Sequence, residues 1–352
     1  MLAGAIAFMV AGAFVLAGPA RGRSHVTPTL RFHVFIKTTQ LLDSLVWTGT
    51  QFLYVQNTAN TLWAAPPAGE PLQQFATMPR LVEETRCILS PGNWGFPPGA
   101  IFCHSPDNKI YEISPDGSSV KVFARLPGPY PPRSDGALAF DRVGHFAHRL
   151  VAATGCLGSS GGLVYTVGPH HGVRQVGHYP GPGGADELVI APGGFGSYAG
   201  DALLTIDAGT SSGRVVAVKP NGTRRTIATF PEGVNPIAPI PTPSGRTGAP
   251  FSGLYVSDDI TGYTYTAPLA DLAGYAGDVI VGTESPRPLF WILEPKGSGI
   301  AKIPLPNDLP RLASQMVRDG ILTNFQAEQF LQGKWKRFHI GKYSLEQAIF
   351  VP

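Results

Sequence analysis

Residues 106–117 read PDNKIYEISPDG, and the unit inside them, a strand IYEIS closed by Pro115, recurs along the whole chain. It returns as LWAAP at Pro66, VYTVGP at Pro169, VVAVKP at Pro220, YTYTAP at Pro268 and LFWILEP at Pro295. Successive copies lie roughly 50 residues apart, the span of one propeller blade, until the last interval, which is about half of that. Proline cannot donate to a strand ladder, so it marks the same strand end in each copy.

Each copy is preceded by another strand-forming run: FLYVQN, AIFCHS, RLVAAT, DALLTI, GLYVSD and DVIVGT. Most are followed by a Gly turn and a polar strand, as in PDGSSVKVFARLP, PHHGVRQVGHYP and PNGTRRTIATFP. Small and branched runs, TRCILSPG, DGALAFD and ELVIAPGG, stand before them as inner strands. Four strands per repeat, stacked around an axis because no single sheet can bury both its faces, is a β-propeller. The expectation is therefore an all-β, six-bladed propeller, with five blades as the fallback. The short final interval leaves the last blade short of local strands, and the N-terminal run LRFHVFIKTTQ is placed to lend one.

The 352 residues include 43 Gly and 34 Pro, which disfavours long helices over most of the length. A formal charge of +3, with basic residues scattered until the last twenty positions, leaves no footprint for nucleic acid. Residues 1–20, MLAGAIAFMVAGAFVLAGPA, read as an export signal or an uncleaved membrane anchor, although no Lys or Arg precedes them. With three cysteines a disulfide framework is excluded. Cys87 and Cys103 flank a hairpin loop and could bond across two strands. Cross-strand bridges are strained, so they are read as buried free thiols, and Cys156 as a loop thiol.

The phrases PDNKIYEISPDG, DGALAFD, PEGVNPIAPIP and GLYVSDDITGYTYTAP resemble those of the six-bladed senescence marker protein/gluconolactonase and NHL-repeat propellers, over about residues 28–305. Acid and amide residues recur where loops enter the inner strands: Glu84, Asp135, Asp186, Glu187, Glu232 and Asn235, with Asp258 and Asp259 after GLYVS. Oxygen ligands from several loops suit Ca²⁺ or another divalent cation. In the resembled lactonases one such metal polarises an ester carbonyl. That resemblance implies Glu84, Asn235 and Asp258 as ligands here, with Asp186 substituting for an asparagine that has no counterpart. The same side chains also read as turn caps bonding backbone N–H groups. The nine histidines form no zinc spacing, and no GxSxG elbow occurs. Asn221-Gly222-Thr223 is a glycosylation sequon in a turn.

Residues 307–343 change character. Leu309, Leu312, Met316 and Val317 form one helical stripe and Leu322, Phe325, Phe330 and Leu331 another. Gly320 stops the first helix, and Thr323 with Gln326 opens the second as a capping box. A two-helix hairpin is expected, separate from the propeller. The string LASQMVRDGILTNFQAEQFLQGKWKRFHIGKY resembles the helical segment preceding the catalytic domain of some bacterial Ser/Thr kinases. No phosphate loop or strand lysine follows, so no kinase activity is expected.

Two functions follow from this reading. The first is an exported monomeric propeller, periplasmic, extracellular or anchored outside, that binds a small molecule or a protein at its mouth. The second is a metal-dependent hydrolase of lactone-like esters, with the cation on Glu84, Asp186, Asn235 and Asp258.

Overall fold

The computed structural model of the chain describes residues 30–57, 59–82, 84–128, 136–155, 160–208, 212–230, 233–242, 252–258, 262–284, 290–294, 300–303 and 345–351. Their strands form six four-stranded antiparallel sheets. The first four blades are each continuous in sequence. The first strand of the chain, β1 (His33–Lys37), is not part of blade 1 and joins the last sheet described below. Blade 1 proper holds β2 (Leu42–Trp47), β3 (Phe52–Gln56), β4 (Ala59–Ala65) and β5 (Gln73–Val82). Blade 2 holds β6 (Arg86–Leu89), β7 (Ile101–Ser105), β8 (Lys109–Ile113) and β9 (Val120–Arg125). Blade 3 holds β10 (Ala137–Phe140), β11 (Leu150–Ala153), β12 (Leu163–Val167) and β13 (Val173–His178). Blade 4 holds β14 (Gly184–Ile190), β15 (Ala202–Asp207), β16 (Gly213–Val218) and β17 (Arg224–Phe230).

The last two blades are interleaved. From β18 (Gly233–Pro239) the chain leaves for the hairpin β19 (Gly253–Asp258) and β20 (Tyr263–Pro268). It then returns to pair β21 (Val279–Glu284) with β18 and to add β22 (Phe290–Leu293) and β23 (Ile300–Ile303). Those four strands are blade 5. Blade 6 runs from β24 (Leu345–Val351) through β19 and β20 to β1. The N-terminal run therefore does lend a strand, as the outermost one. The half-length interval has a different cause from the one expected: the hairpin of blade 6 is inserted between two strands of blade 5, so no blade lacks strands.

The recurring prolines among the described residues fall at one place in their sheets; Pro295 lies outside those residues. Pro66, Pro115, Pro169 and Pro220 follow the third strand of blades 1 to 4 by one or two residues, and Pro268 ends the third strand of blade 6. Second strands are buried almost throughout, as in IFCHS of β7 and GLYVSD of β19, because each is flanked by strands in its own sheet and by a blade on either face. Outer strands keep exposed positions, as β13 does. The innermost strands touch in cyclic order, β2 to β6, β10, β14, β18, β24 and back to β2, so the ring closes at six blades. One apolar cluster fills each of the six seams. Between blades 6 and 1 it joins Ile36, Tyr255 and Val351 to Leu42, Leu45 and Phe52.

Cys87 and Cys103 are opposite each other on β6 and β7, and the structure bonds them, with Cα atoms 4.1 Å apart. The free-thiol expectation is thereby corrected: direct cross-strand registration brings the two sulfurs together in the seam between blades 1 and 2. Residues 1–20 and the expected helices over 307–343 lie outside the described residues. Residues 345–351, past the span expected to form the propeller, supply its sixth inner strand.

Candidate functional site

Antiparallel order puts the starts of the inner strands and the connections between second and third strands at one end of the ring, the channel mouth. Arg86, the first residue of β6, is almost wholly buried there. An arginine in an interior is tolerable only if its N–H groups are satisfied. Its Nη1 donates to Oδ1 of Asp43 on β2, a side chain with no exposure. Its Nε donates to the backbone oxygen of Asp186 on β14 at 3.0 Å, and its Nη2 lies 3.4 Å from Oε2 of Glu84. One side chain thus ties blades 1, 2 and 4 together. Glu187 does the same for blades 4 and 5: its Oε2 accepts the N–H of Ile237 at 3.0 Å, where the ladder of β18 and β21 skips a register step.

Gln347 on β24 completes the lattice. Its side-chain oxygen accepts from Ser44 Oγ at 2.6 Å and from the N–H of Leu45, while Ser44 Oγ in turn accepts the N–H of Cys87 at 2.8 Å. Its backbone N–H donates to Ser257 Oγ at 3.3 Å. The seam between the C-terminal and first blades is therefore polar near the mouth and apolar further along.

Of the expected ligands, Glu84 and Asp186 are brought together, through Arg86. Asn235 on β18 and Asp258 at the end of β19 are both wholly buried, in blades 5 and 6, and the Asp258 backbone oxygen accepts the N–H of Gly262 at 3.1 Å. Asp135, Glu232 and Asp259 lie outside the described residues. Among the described residues no three His, Cys, Asp or Glu side chains are grouped as metal ligands. The chemistry of the donor set also bears on fit. A buried guanidinium already stands against the partly exposed Glu84 and the Asp186 backbone oxygen, and a divalent cation placed with them would face its charge at close range. A cation held by Glu84 and Asp186 would have to share them with Arg86.

Sequence reasoning missed Arg86, Asp43 and Gln347. The available signal was charge within an apolar run: LLDSLVW and TRCILS each carry an ionisable residue where an inner strand should be apolar. It also passed over His104 on β7, the register partner of Arg86. His104 has no exposure, and among the described residues neither ring nitrogen meets hydrogen-bond geometry. Burial lowers its pKa from 6.5 to about 4, only partly opposed by the nearby Ala137 backbone and Asp107 carboxylate. Gly136 makes room for the ring, since a Cβ there would lie 2.6 Å from Nδ1.

No family model matches the chain, and no curated protein does. Solved structures similar to it include one from a nidogen/laminin complex, with 10% identity over 75% of this chain and 80% of that one, at a TM-score of 0.47. A hydrazine synthase from Kuenenia stuttgartiensis gives 11% identity over 77% of this chain and 68% of that one, at 0.47. The computationally designed protein Ika4 gives 11% over 54% and 91%, at 0.30. The propeller assignment rests on the six closed sheets themselves.

Proposed function

We propose that this chain is an exported β-propeller that acts as a ligand- or partner-binding module. The observation carrying this reading is the use made of the mouth's charges. Asp43 and Glu84 face Arg86, and Glu187 holds a backbone N–H of the next blade, so these groups serve the ring. Catalysis by a bound water would instead ask them to converge on one open point. Export is supported by the apolar run at 1–20 and by the Cys87–Cys103 bridge, which suits an oxidising compartment. No helix among the described residues is long and apolar enough to cross a membrane.

The alternative is a Ca²⁺-dependent lactone hydrolase of the gluconolactonase kind. Hydrolysis of a panel of aldonolactones by the full chain, with Ca²⁺ or with chelator, separates the two. The binding reading expects no turnover above buffer in either condition. Turnover that needs Ca²⁺ and is lost in Glu84→Gln would overturn it.

A further inference from the structure

Resting on the binding-module reading, we infer that the end of the ring opposite the mouth, across blades 2 to 4, is a docking surface for an acidic polysaccharide. The strand order fixes which residues gather there. Loops 90–100, 141–149 and 191–201 join first to second strands, and turns 168–172 and 219–223 join third to fourth. In an antiparallel blade both kinds emerge at the same end. Contacts confirm that they meet: a Cβ on Gly95 would lie 3.0 Å from Pro169, and one on Gly200 would lie 2.3 Å from the ring of His145.

At the centre of this surface an aromatic plate is held open to solvent. Trp94, 37% exposed, stacks on His148 with ring centres 4.1 Å apart and planes 9° from parallel. Trp94, Ala147 and His148 all have positive φ, of 51°, 56° and 56°. Such conformations are costly for side-chain-bearing residues and persist only where surroundings enforce them. Here the enforcement comes from Asp141, wholly buried, whose carboxylate accepts the N–H groups of Val143, Gly144, Phe146 and His148 at 2.6–3.1 Å. His148 is fixed beneath the indole, and the other indole face is the one available to a ligand.

Basic residues share this end of the ring. From Arg142 to Ala185, and again from Ala208 to Pro231, the sequence contains no Asp or Glu. Those stretches place Arg142, His145, Lys219 and Arg225, all exposed, on or beside this end. Arg225 lies 6.0 Å over the ring of Tyr198, a pairing of cation and aromatic. Of the acids nearby, Asp201 is 3% exposed, and Asp116, on the outer turn of blade 2, is exposed but engaged by Ser114 and Ser118.

A chain of acidic pyranose rings matches this pattern. The C–H face of a sugar packs on a rigid aromatic plane, while carboxylate or sulfate groups on neighbouring rings reach basic side chains spaced around it. A polynucleotide asks for a dense row of phosphate contacts, whereas this end offers a few cations separated by aromatic groups on a chain of net charge +3.

The test is binding of the full chain to polygalacturonate and to heparin, with neutral dextran, oligothymidylate and polyglutamate as comparisons, over a salt series. Retention of both acidic glycans, weakening as salt rises, and about tenfold weaker in Trp94→Ala is expected. The double variant Lys219→Glu/Arg225→Glu should lose most of the salt dependence, and Lys121→Glu, on the outer strand of blade 2, should bind like the parent. Circular dichroism of each variant separates lost binding from lost fold. Absence of glycan binding, equal binding by Trp94→Ala, or equal or tighter binding of oligothymidylate or polyglutamate would each overturn the proposal. None of these outcomes bears on lactone turnover, so the binding-module reading fails or survives separately.

Discussion

His104 gives this protein a specific sensitivity to acid. The ring is dry, and it stays neutral in the folded chain down to about pH 4, while in the unfolded chain it takes up a proton near 6.5. Because the folded pKa lies below the unfolded one, the group has no effect on stability above 6.5. As pH falls through the interval from 6.5 to 4, only the unfolded state binds the proton, and stability is lost. At 1.36 kcal/mol per pH unit the loss is about 3 kcal/mol when the interval has been crossed, and about 2.5 kcal/mol at pH 4.5. Urea unfolding under non-reducing conditions at pH 7.5 and 4.5 measures it. Carboxylates contribute to the same difference, so the informative quantity is the difference between wild type and His104→Leu, in which they cancel. The variant should lose about 2–3 kcal/mol less than wild type between the two pH values. Equal losses, to within about 0.5 kcal/mol, would refute the reasoning and mean that the ring is protonated, and partnered, in the native state.

Two other perturbations follow from the seams. Asp43→Asn removes the fully buried ion-pair partner of Arg86, leaving only the partly exposed Glu84 at 3.4 Å, and should cost about 3–5 kcal/mol, read by urea unfolding; Arg86→Met combined with it should recover part of that loss, because the buried positive charge is removed. Cys87 and Cys103 close a loop with a sequence separation of 16, for which chain entropy gives about 3 kcal/mol. Wild type should therefore lose that much on addition of reductant, and Cys87→Ala/Cys103→Ala should not respond.

The sequence made the blades legible wherever a local rule governed the strand. A proline cannot donate to a strand ladder and commonly ends one, so Pro66, Pro115, Pro169 and Pro220 marked one strand end repeatedly, and the runs before them were second and third strands as expected. What was not legible depended on partners far along the chain. SLEQAIFVP follows a helical, basic stretch and has no repeat signature, yet 345–351 pairs with β19 because the sixth inner position is otherwise empty. The insertion of β19 and β20 between β18 and β21 leaves no local mark, since each run keeps its own strand pattern. The same limit applied to the site. Glu84 and Asp186 were singled out as oxygen donors, but their shared neighbour Arg86 could be recognised only once blades 2 and 4 faced each other across the channel. Cross-strand registration likewise decided the fate of Cys87 and Cys103.

The sixth sheet gathers three stretches that are made at very different moments of translation: His33–Lys37 first, Gly253–Pro268 much later, and Leu345–Val351 last. During synthesis the emerging chain must hold β1 waiting at the rim, and the facing surfaces of blades 1 and 5 stay open to solvent until the final strand arrives with Gln347. Ring closure in this sense waits on the synthesis of Leu345–Val351. A chain cut short before Leu345 would lack the inner strand of its sixth blade and leave apolar side chains of both flanking seams uncovered, a natural client for chaperones or proteases.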